Sequence, residues 1–186
     1  MNQVRIIGGV WRGRKIHFRP TLQLRPTLDA VRETVFNWLM FEIQDAHCLD
    51  AFAGSGALGF EALSRGAKSM VFVEREREVV FELKKHIKLL EATDRAQVLH
   101  DTALHILEKP AQQQFKLIFL DPPFGKDFLK QSLDAIKKYG HLLPGGMVYF
   151  EAEKALNLAE FISPDWEVYR HKVMGEVQFG LVNLLN

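Results

Sequence analysis

The chain has 186 residues, 47% hydrophobic and 25% charged, with a net charge of +1, a balance that excludes disordered, fibrous and collagen-like chains. No apolar run approaches the roughly 20 residues that a membrane-crossing helix needs, and residues 1–5 have no apolar leader stretch. A single cysteine, Cys48, excludes an internal disulfide and a cysteine-rich metal site, so the expectation is a cytoplasmic protein of one domain, or one domain with a small appendage.

The small net charge conceals an uneven distribution. Residues 1–32 carry seven basic groups against Asp29 alone, and the remainder carries 17 basic and 22 acidic groups. Six of the seven are arginine, whose planar fork suits phosphate oxygens. A polyanion bound at this end is therefore expected. Residues 4–9 and 13–18 read as two short strands joined by glycine-containing turn chemistry, with Trp11 near the tip. A two-stranded ribbon is marginal alone, so it must pack on the body or order on a partner. The organisation expected is a basic hairpin arm over 1–27 and a body over 28–186.

After an extended segment before Pro26, a helix is predicted over 28–43, with Thr27 as its cap and Val31, Val35, Trp38 and Leu39 on one apolar face. From residue 47 strands and helices alternate. Strands are predicted at 48–52, 69–73, 96–99, 115–120 and 146–150. Helices are predicted at 57–65, 76–90, 103–108, 127–139 and 155–161, and an antiparallel hairpin at 166–184. Such alternation implies a mostly parallel sheet with helices on both faces.

The first of these strands runs into Asp50-Ala51-Phe52-Ala53-Gly54-Ser55-Gly56-Ala57-Leu58-Gly59. Gly54, Gly56 and Gly59 match a phosphate- or nucleoside-binding glycine loop, with a strand before and a helix after. Glu74 closes the next strand, where a carboxylate can accept from both ribose hydroxyls. Asp101, followed by Thr102, closes the third. Three acidic strand ends on one sheet edge point to a nucleoside-bearing cofactor, because open α/β sheets bind ligands there. A dinucleotide and S-adenosylmethionine both fit. The Asp50 carboxylate would repel a pyrophosphate and attract an amino group.

The fourth strand ends in Asp121-Pro122-Pro123-Phe124. The prolines remove two backbone donors. What remains is a carboxylate, bare carbonyls and a ring, the complement of a flat base with an exocyclic amino group.

Phe52-Ala53-Gly54-Ser55-Gly56 together with Asp121-Pro122-Pro123-Phe124 resembles the amino-group methyltransferases that use S-adenosylmethionine. Arg5-Ile6-Ile7-Gly8-Gly9, Trp11 to Lys15, Arg25-Pro26-Thr27 and Val31 to Leu39 extend the match. With these, nearly the whole chain resembles the RsmD family of bacterial small-subunit ribosomal RNA guanine-N2 methyltransferases.

The resemblance implies a class I S-adenosylmethionine-dependent methyltransferase, Rossmann-like. Its seven-stranded, mostly parallel sheet would have an antiparallel last strand and be preceded by the β-hairpin. It implies methylation of guanine 966 of 16S ribosomal RNA, in a partly assembled 30S particle, by a monomer. Asp121, Pro122, Pro123 and Phe124 would be catalytic, with Asp121 and the Pro122 carbonyl accepting from N2 and Phe124 stacking on the base. Asp50, Ala51, Ala53, Gly54, Ser55, Gly56, Glu74, Asp101 and Thr102 would hold the cofactor. Arg5, Trp11, Arg12, Arg14, Lys15, Arg25 and Thr27 would meet RNA, although Arg25 and Thr27 could equally close over the cofactor. The seven histidines show no ligand spacing, so no metal is expected. Rival readings are a DNA or other RNA amino-methyltransferase, a protein-glutamine methyltransferase, and a non-catalytic RNA-binding assembly factor.

Overall fold

The computed structural model describes residues 2–18, 29–124 and 127–185. The expected helix cap at Thr27, and Arg25 beside it, lie outside these residues. Two strands, β1 (Asn2–Arg5) and β2 (Lys15–Phe18), pair antiparallel as a ribbon. Helix α1 spans Asp29–Trp38. The alternating body follows as β3 (His47–Asp50), α2 (Ala57–Ser64), β4 (Ser69–Glu74), α3 (Arg77–Leu89), β5 (Ala96–His100), α4 (Ala103–Leu107) and β6 (Phe115–Leu120). It continues with α5 (Phe128–Tyr139), β7 (Leu142–Glu153), α6 (Leu158–Phe161), β8 (Trp166–Met174) and β9 (Val177–Leu184).

The sheet order is β5-β4-β3-β6-β7-β9-β8. The first five of these strands run parallel, and β9 lies antiparallel between β7 and β8. Order reverses between β3 and β6, where the chain crosses from one half of the sheet to the other. The carboxyl ends of β3 and β6 therefore diverge into a crevice, the place where ligands bind such sheets.

Burial on both faces explains the continuous apolar strands. Successive residues Cys48 and Leu49 of β3 enter opposite cores. One core gathers Val35, Phe36, Leu63 and Leu83 from α1, α2 and α3; the other gathers Leu107, Leu133, Ile136 and Phe161 from α4, α5 and α6. Cys48 is fully buried, and burial, then the charge of Asp50, pushes its thiol up to about 12. It packs as a small hydrophobe and is no nucleophile.

Some predicted boundaries move. Helix α1 stops at Trp38 rather than 43, giving way to turns that reach a positive φ at Asp45. Strand β7 begins at Leu142, ahead of the predicted turn at 144–146, and a register shift opposite Phe115 and Leu117 absorbs Pro144. Helix α6 starts at Leu158 because Asn157 caps it: its side chain accepts from the Ala159 amide while Glu160 reaches back to the Asn157 amide.

The hairpin packs on the body. Glu61 of α2 is fully buried and accepts from the amides of Ile7 and Gly8, both at 2.8 Å. Ser64 accepts from the Trp11 amide at 2.9 Å and donates to the Gly8 carbonyl at 2.6 Å. Gly9 has φ +74°, and a Cβ there would lie 1.8 Å from the Ser64 carbonyl oxygen, so only glycine allows this approach. His86 of α3 meets the His17 carbonyl at 2.7 Å. Trp11 departs from its expected role as a base-stacking ring. It is 7% exposed and sits in the core cluster, with the Arg95 guanidinium 5.5 Å from its ring centroid.

Candidate active site

The glycine loop, three acidic strand ends and the Asp-Pro-Pro-Phe segment converge on one cleft of about 1090 Å³. That exceeds the upper range of pockets for a single small ligand, leaving space for a cofactor and a base together. Asp50, Ala51, Ala53, Gly54, Ser55, Glu74, Asp101 and Thr102 line it, as do Asp121, Pro122, Pro123 and Phe124. Gly56 sits behind the loop as the cap of α2, at φ +77°; a Cβ there would strike Phe60 and Leu83 at 2.5 and 2.7 Å. Arg5, Arg12, Arg14 and Lys15 are exposed on the hairpin, outside the cleft lining.

Asp50 is 1% exposed at the end of β3, and its Oδ2 accepts from the Gly59 amide at 3.2 Å. Its Oδ1 is buried with no hydrogen-bond partner among the described residues. Burial, and secondarily the charge of Glu74, raises its carboxyl to about 7, against the lowering effect of the Gly59 amide. An unpartnered buried oxygen beside the glycine loop fits a cationic amino group, the feature that separates S-adenosylmethionine from a dinucleotide.

Glu74 accepts from the Gly54 amide at 3.0 Å and from the Glu76 amide at 2.8 Å, which clamps the glycine loop to the start of α3. Each carboxylate oxygen retains a second lone pair for a ribose hydroxyl. Asp101 is held by His105 Nδ1 at 2.8 Å and by the Thr102 amide at 2.7 Å. The bond from His105, more than any other contact, keeps its carboxyl below the usual range. The Thr102 hydroxyl caps α4 through the His105 amide. This side of the cleft is thus a set of acceptors locked to their own backbone, a preorganised arrangement.

On the opposite side the cleft holds a carboxylate to which the sequence reading gave no role. Leu120 of β6 pairs with Phe150 of β7, so Asp121 and Glu151 follow side by side on adjacent strands. Glu151 is 7% exposed, lines the cleft, and accepts from the Tyr149 hydroxyl at 3.0 Å. Tyr149 is fully buried; burial first, then the charges of Glu151 and Asp121, holds its phenol far above the ordinary range. It stays a neutral donor to Glu151. Glu151 follows an apolar run as Asp50 and Glu74 do, although β7 continues past it to Glu153. It could have been found by carrying that rule to the fifth strand. The β8–β9 turn, Met174 to Val177, also borders the cleft, as do Phe18 of the hairpin and Val31 of α1. These depend on long-range folding and leave no local signal.

The family model described as Conserved hypothetical protein 95 matches residues 4–183. Ribosomal RNA small subunit methyltransferase D of Haemophilus influenzae is 42% identical over 182 residues, covering 96% of this chain and 93% of that protein. The chain belongs to this family. The protein of the same description from Escherichia coli strain K12 is 41% identical over 179 residues, covering 96% of this chain and 89% of that one. The solved structure of a putative methyltransferase, yhhF, from Escherichia coli superposes with a TM-score of 0.87 at 40% identity, covering 98% of both chains. A Thermus thermophilus 16S rRNA N2 G1207 methyltransferase, solved with AdoMet and guanosine, shares the fold: TM-score 0.73, 20% identity, 100% of this chain and 50% of that one. The family fold is thus a class I methyltransferase sheet with the last strand antiparallel, as the resemblance implied.

The raised Asp50 carboxyl has a consequence for pH. Only the ionised form attracts a cation, so protonation below about 7 would compete with a cationic group held at Asp50. S-adenosylmethionine affinity is expected to weaken as pH falls from 8 to 5, approaching tenfold per unit below pH 7. Calorimetric titration across that range should show the slope in the native protein and its loss in Asp50→Asn. A pH-independent affinity in the native protein would remove the cation from Asp50.

Proposed function

We propose that the chain moves a methyl group from S-adenosylmethionine to the exocyclic N2 of a guanine in 16S ribosomal RNA, the guanine 966 that the sequence resemblance implies, in a partly assembled 30S particle. The relatives named for the ribosomal RNA small subunit support the RNA. The observation that carries the choice of guanine is the side-by-side placement of Asp121 and Glu151 at the cleft. A guanine presents N1–H and N2–H2 as contiguous donors along one edge. Adenine presents an amino group beside an acceptor nitrogen, which a second carboxylate would repel. Two neighbouring carboxylates complement guanine and oppose adenine.

When bound, S-adenosylmethionine supplies an electrophilic methyl on a sulfonium. The chain must then make a poor nucleophile attack it. Guanine N2 is weakly nucleophilic because its lone pair spreads into the ring. Asp121 accepts one N2 hydrogen and the Pro122 carbonyl the other, which draws the nitrogen toward a pyramidal geometry. As the new bond forms the N2 proton becomes acidic, and Asp121 takes it up. Glu151, oriented by the Tyr149 hydroxyl, accepts N1–H and fixes the register of the edge. Phe124, 36% exposed at the cleft, offers a ring for the base to lie on, a contact worth roughly 1–3 kcal/mol. A paired guanine must first leave its helix, at a few kcal/mol.

The test is transfer of methyl to ribosomal RNA from cells lacking this protein, followed by nuclease digestion and mass mapping. N2-methylguanosine at one site is expected; a methyl on adenine N6, or none, would overturn the reading. Glu151→Gln turns one acceptor oxygen into a donor facing N1–H. It is expected to lower kcat/KM by roughly 10- to 100-fold, from 1–3 kcal/mol of lost base reading, with S-adenosylmethionine affinity unchanged. Unaltered kcat/KM would take Glu151 out of base recognition.

A further inference from the structure

Helix α3 carries a surface that neither the fold nor the cleft uses. Its buried residues are Val79, Val80, Leu83, His86 and Ile87. On a helical wheel of 100° per residue these cluster on one side. Arg77, Phe81, Lys84 and Lys88 fall within about 60° of arc on the opposite side, along about 16 Å of helix. All four are exposed, Phe81 at 67%. The acidic residues of the helix lie beside this line: exposed Glu78 is about 60° round the helix from Phe81 and Glu82 about 100°, and Glu82 pairs with Lys85 at 3.7 Å. Glu91 lies beyond the helix end.

The two ends of the stripe meet features already described. Its start adjoins Arg75 and Glu76, which line the cleft. Its finish lies near the hairpin, where Arg14 donates to the Leu89 carbonyl at the helix end at 3.3 Å. Arg14 therefore sets an exposed hairpin cation at the end of the helix that carries Lys84 and Lys88. Cations spaced along a groove-length surface with one exposed ring among them match a nucleic-acid backbone with an unstacked base. A solvated helix face explains the charges and leaves an exposed phenylalanine opposite the core unaccounted for.

We infer that the α3 stripe Arg77, Phe81, Lys84 and Lys88 is an RNA track joining the hairpin to the cleft rim, with the lysines on phosphates and Phe81 under a base. The inference rests on the proposed RNA substrate and adds the path that RNA takes to the site. It predicts that the basic arm is half of the RNA surface and α3 the other half.

The experiment uses the full chain, a 16S ribosomal RNA transcript and filter binding across a salt series. Lys84→Ala/Lys88→Ala is expected to shrink the slope of log affinity against log salt by about 1.4–1.8, for two lost phosphate contacts. Phe81→Ala is expected to weaken binding roughly 5- to 100-fold with the slope intact. Lys130→Ala on α5 serves as the distant control and is expected to change neither. All variants should melt within a few degrees of the native protein and bind S-adenosylhomocysteine equally. A double variant that keeps the native slope, together with Phe81→Ala binding as the native protein does, overturns the track while native methyl transfer keeps the RNA reading. A native protein that binds no ribosomal RNA overturns both.

Discussion

Asp121→Asn is expected to lower methyl transfer to ribosomal RNA by roughly 100- to 1000-fold, the range for removing a positioned proton acceptor, while S-adenosylmethionine affinity stays within about twofold. The substitution keeps shape and replaces one acceptor oxygen with a donor, turned toward an amino group that is itself a donor. Position explains the separation of effects. Asp50, Glu74 and Asp101 lie at the carboxyl ends of β3, β4 and β5 on one side of the crevice, and Asp121 follows β6 beside Glu151 of β7 on the other. The neutral Tyr149 hydroxyl, held far above its usual pKa by burial and by these two carboxylates, keeps one donor aimed at Glu151 across the working pH range. Single-turnover methyl transfer measured beside calorimetric cofactor binding would check the result. Equal loss of both would make Asp121 a structural residue of the loop, and unchanged turnover would remove it from the chemistry.

The largest effect on stability is expected at Glu61. It is fully buried and holds four partners: the Ile7 and Gly8 amides at 2.8 Å, Arg65 Nε at 2.7 Å and Arg32 Nη1 at 3.7 Å. Arg32 is also fully buried, and its Nη2 donates to Asp29 at 2.6 Å and to the Arg5 carbonyl at 3.0 Å. This network ties the hairpin to α1 and α2. Glu61→Ala removes one of the two carboxylates beside buried Arg32 and leaves two partly buried amides without their acceptor, at a cost of about 3 kcal/mol, a large share of a domain's total of roughly 5–15 kcal/mol. Urea unfolding should show the loss. Hydrogen exchange at the Ile7 and Gly8 amides should rise first, because the hairpin is released before the sheet. Glu61→Gln keeps one acceptor oxygen and is expected to lose less. A Glu61→Ala protein within 1 kcal/mol of native would mean that the hairpin is held by its apolar contacts, Val4, Ile6, Ile16 and Phe18.

Much of the site was legible because it repeats one local rule. An apolar strand run that gives way to an acid is a pattern of adjacent residues. Asp50, Glu74, Asp101 and Asp121 all obey it, and all four line the cleft. Glu151 obeys it too, but its strand runs on to Glu153, so the acid sits inside the element and does not mark its end. Trp11 was misread for a related reason. A ring near a hairpin tip carries no local sign of whether the hairpin stands free or lies on a helix, and here Ser64 holds the tip down. The Phe81 stripe was written at helical spacing within the chain, yet an exposed face and a buried one look alike until the core side of the helix is known.

What the chain determined by itself is the order of strands and helices, the glycine loop after β3 and the acceptor segment after β6. These depend on side-chain period, proline and glycine, which act over a few residues. What only the tertiary structure decided is which acids share a pocket and which serve as struts. Glu61 became a strut because it meets amides 53 and 54 residues away, and Glu151 joined Asp121 because β7 lies against β6 in one register. Such pairings come from burial and strand alignment across the whole fold, which no window of sequence contains.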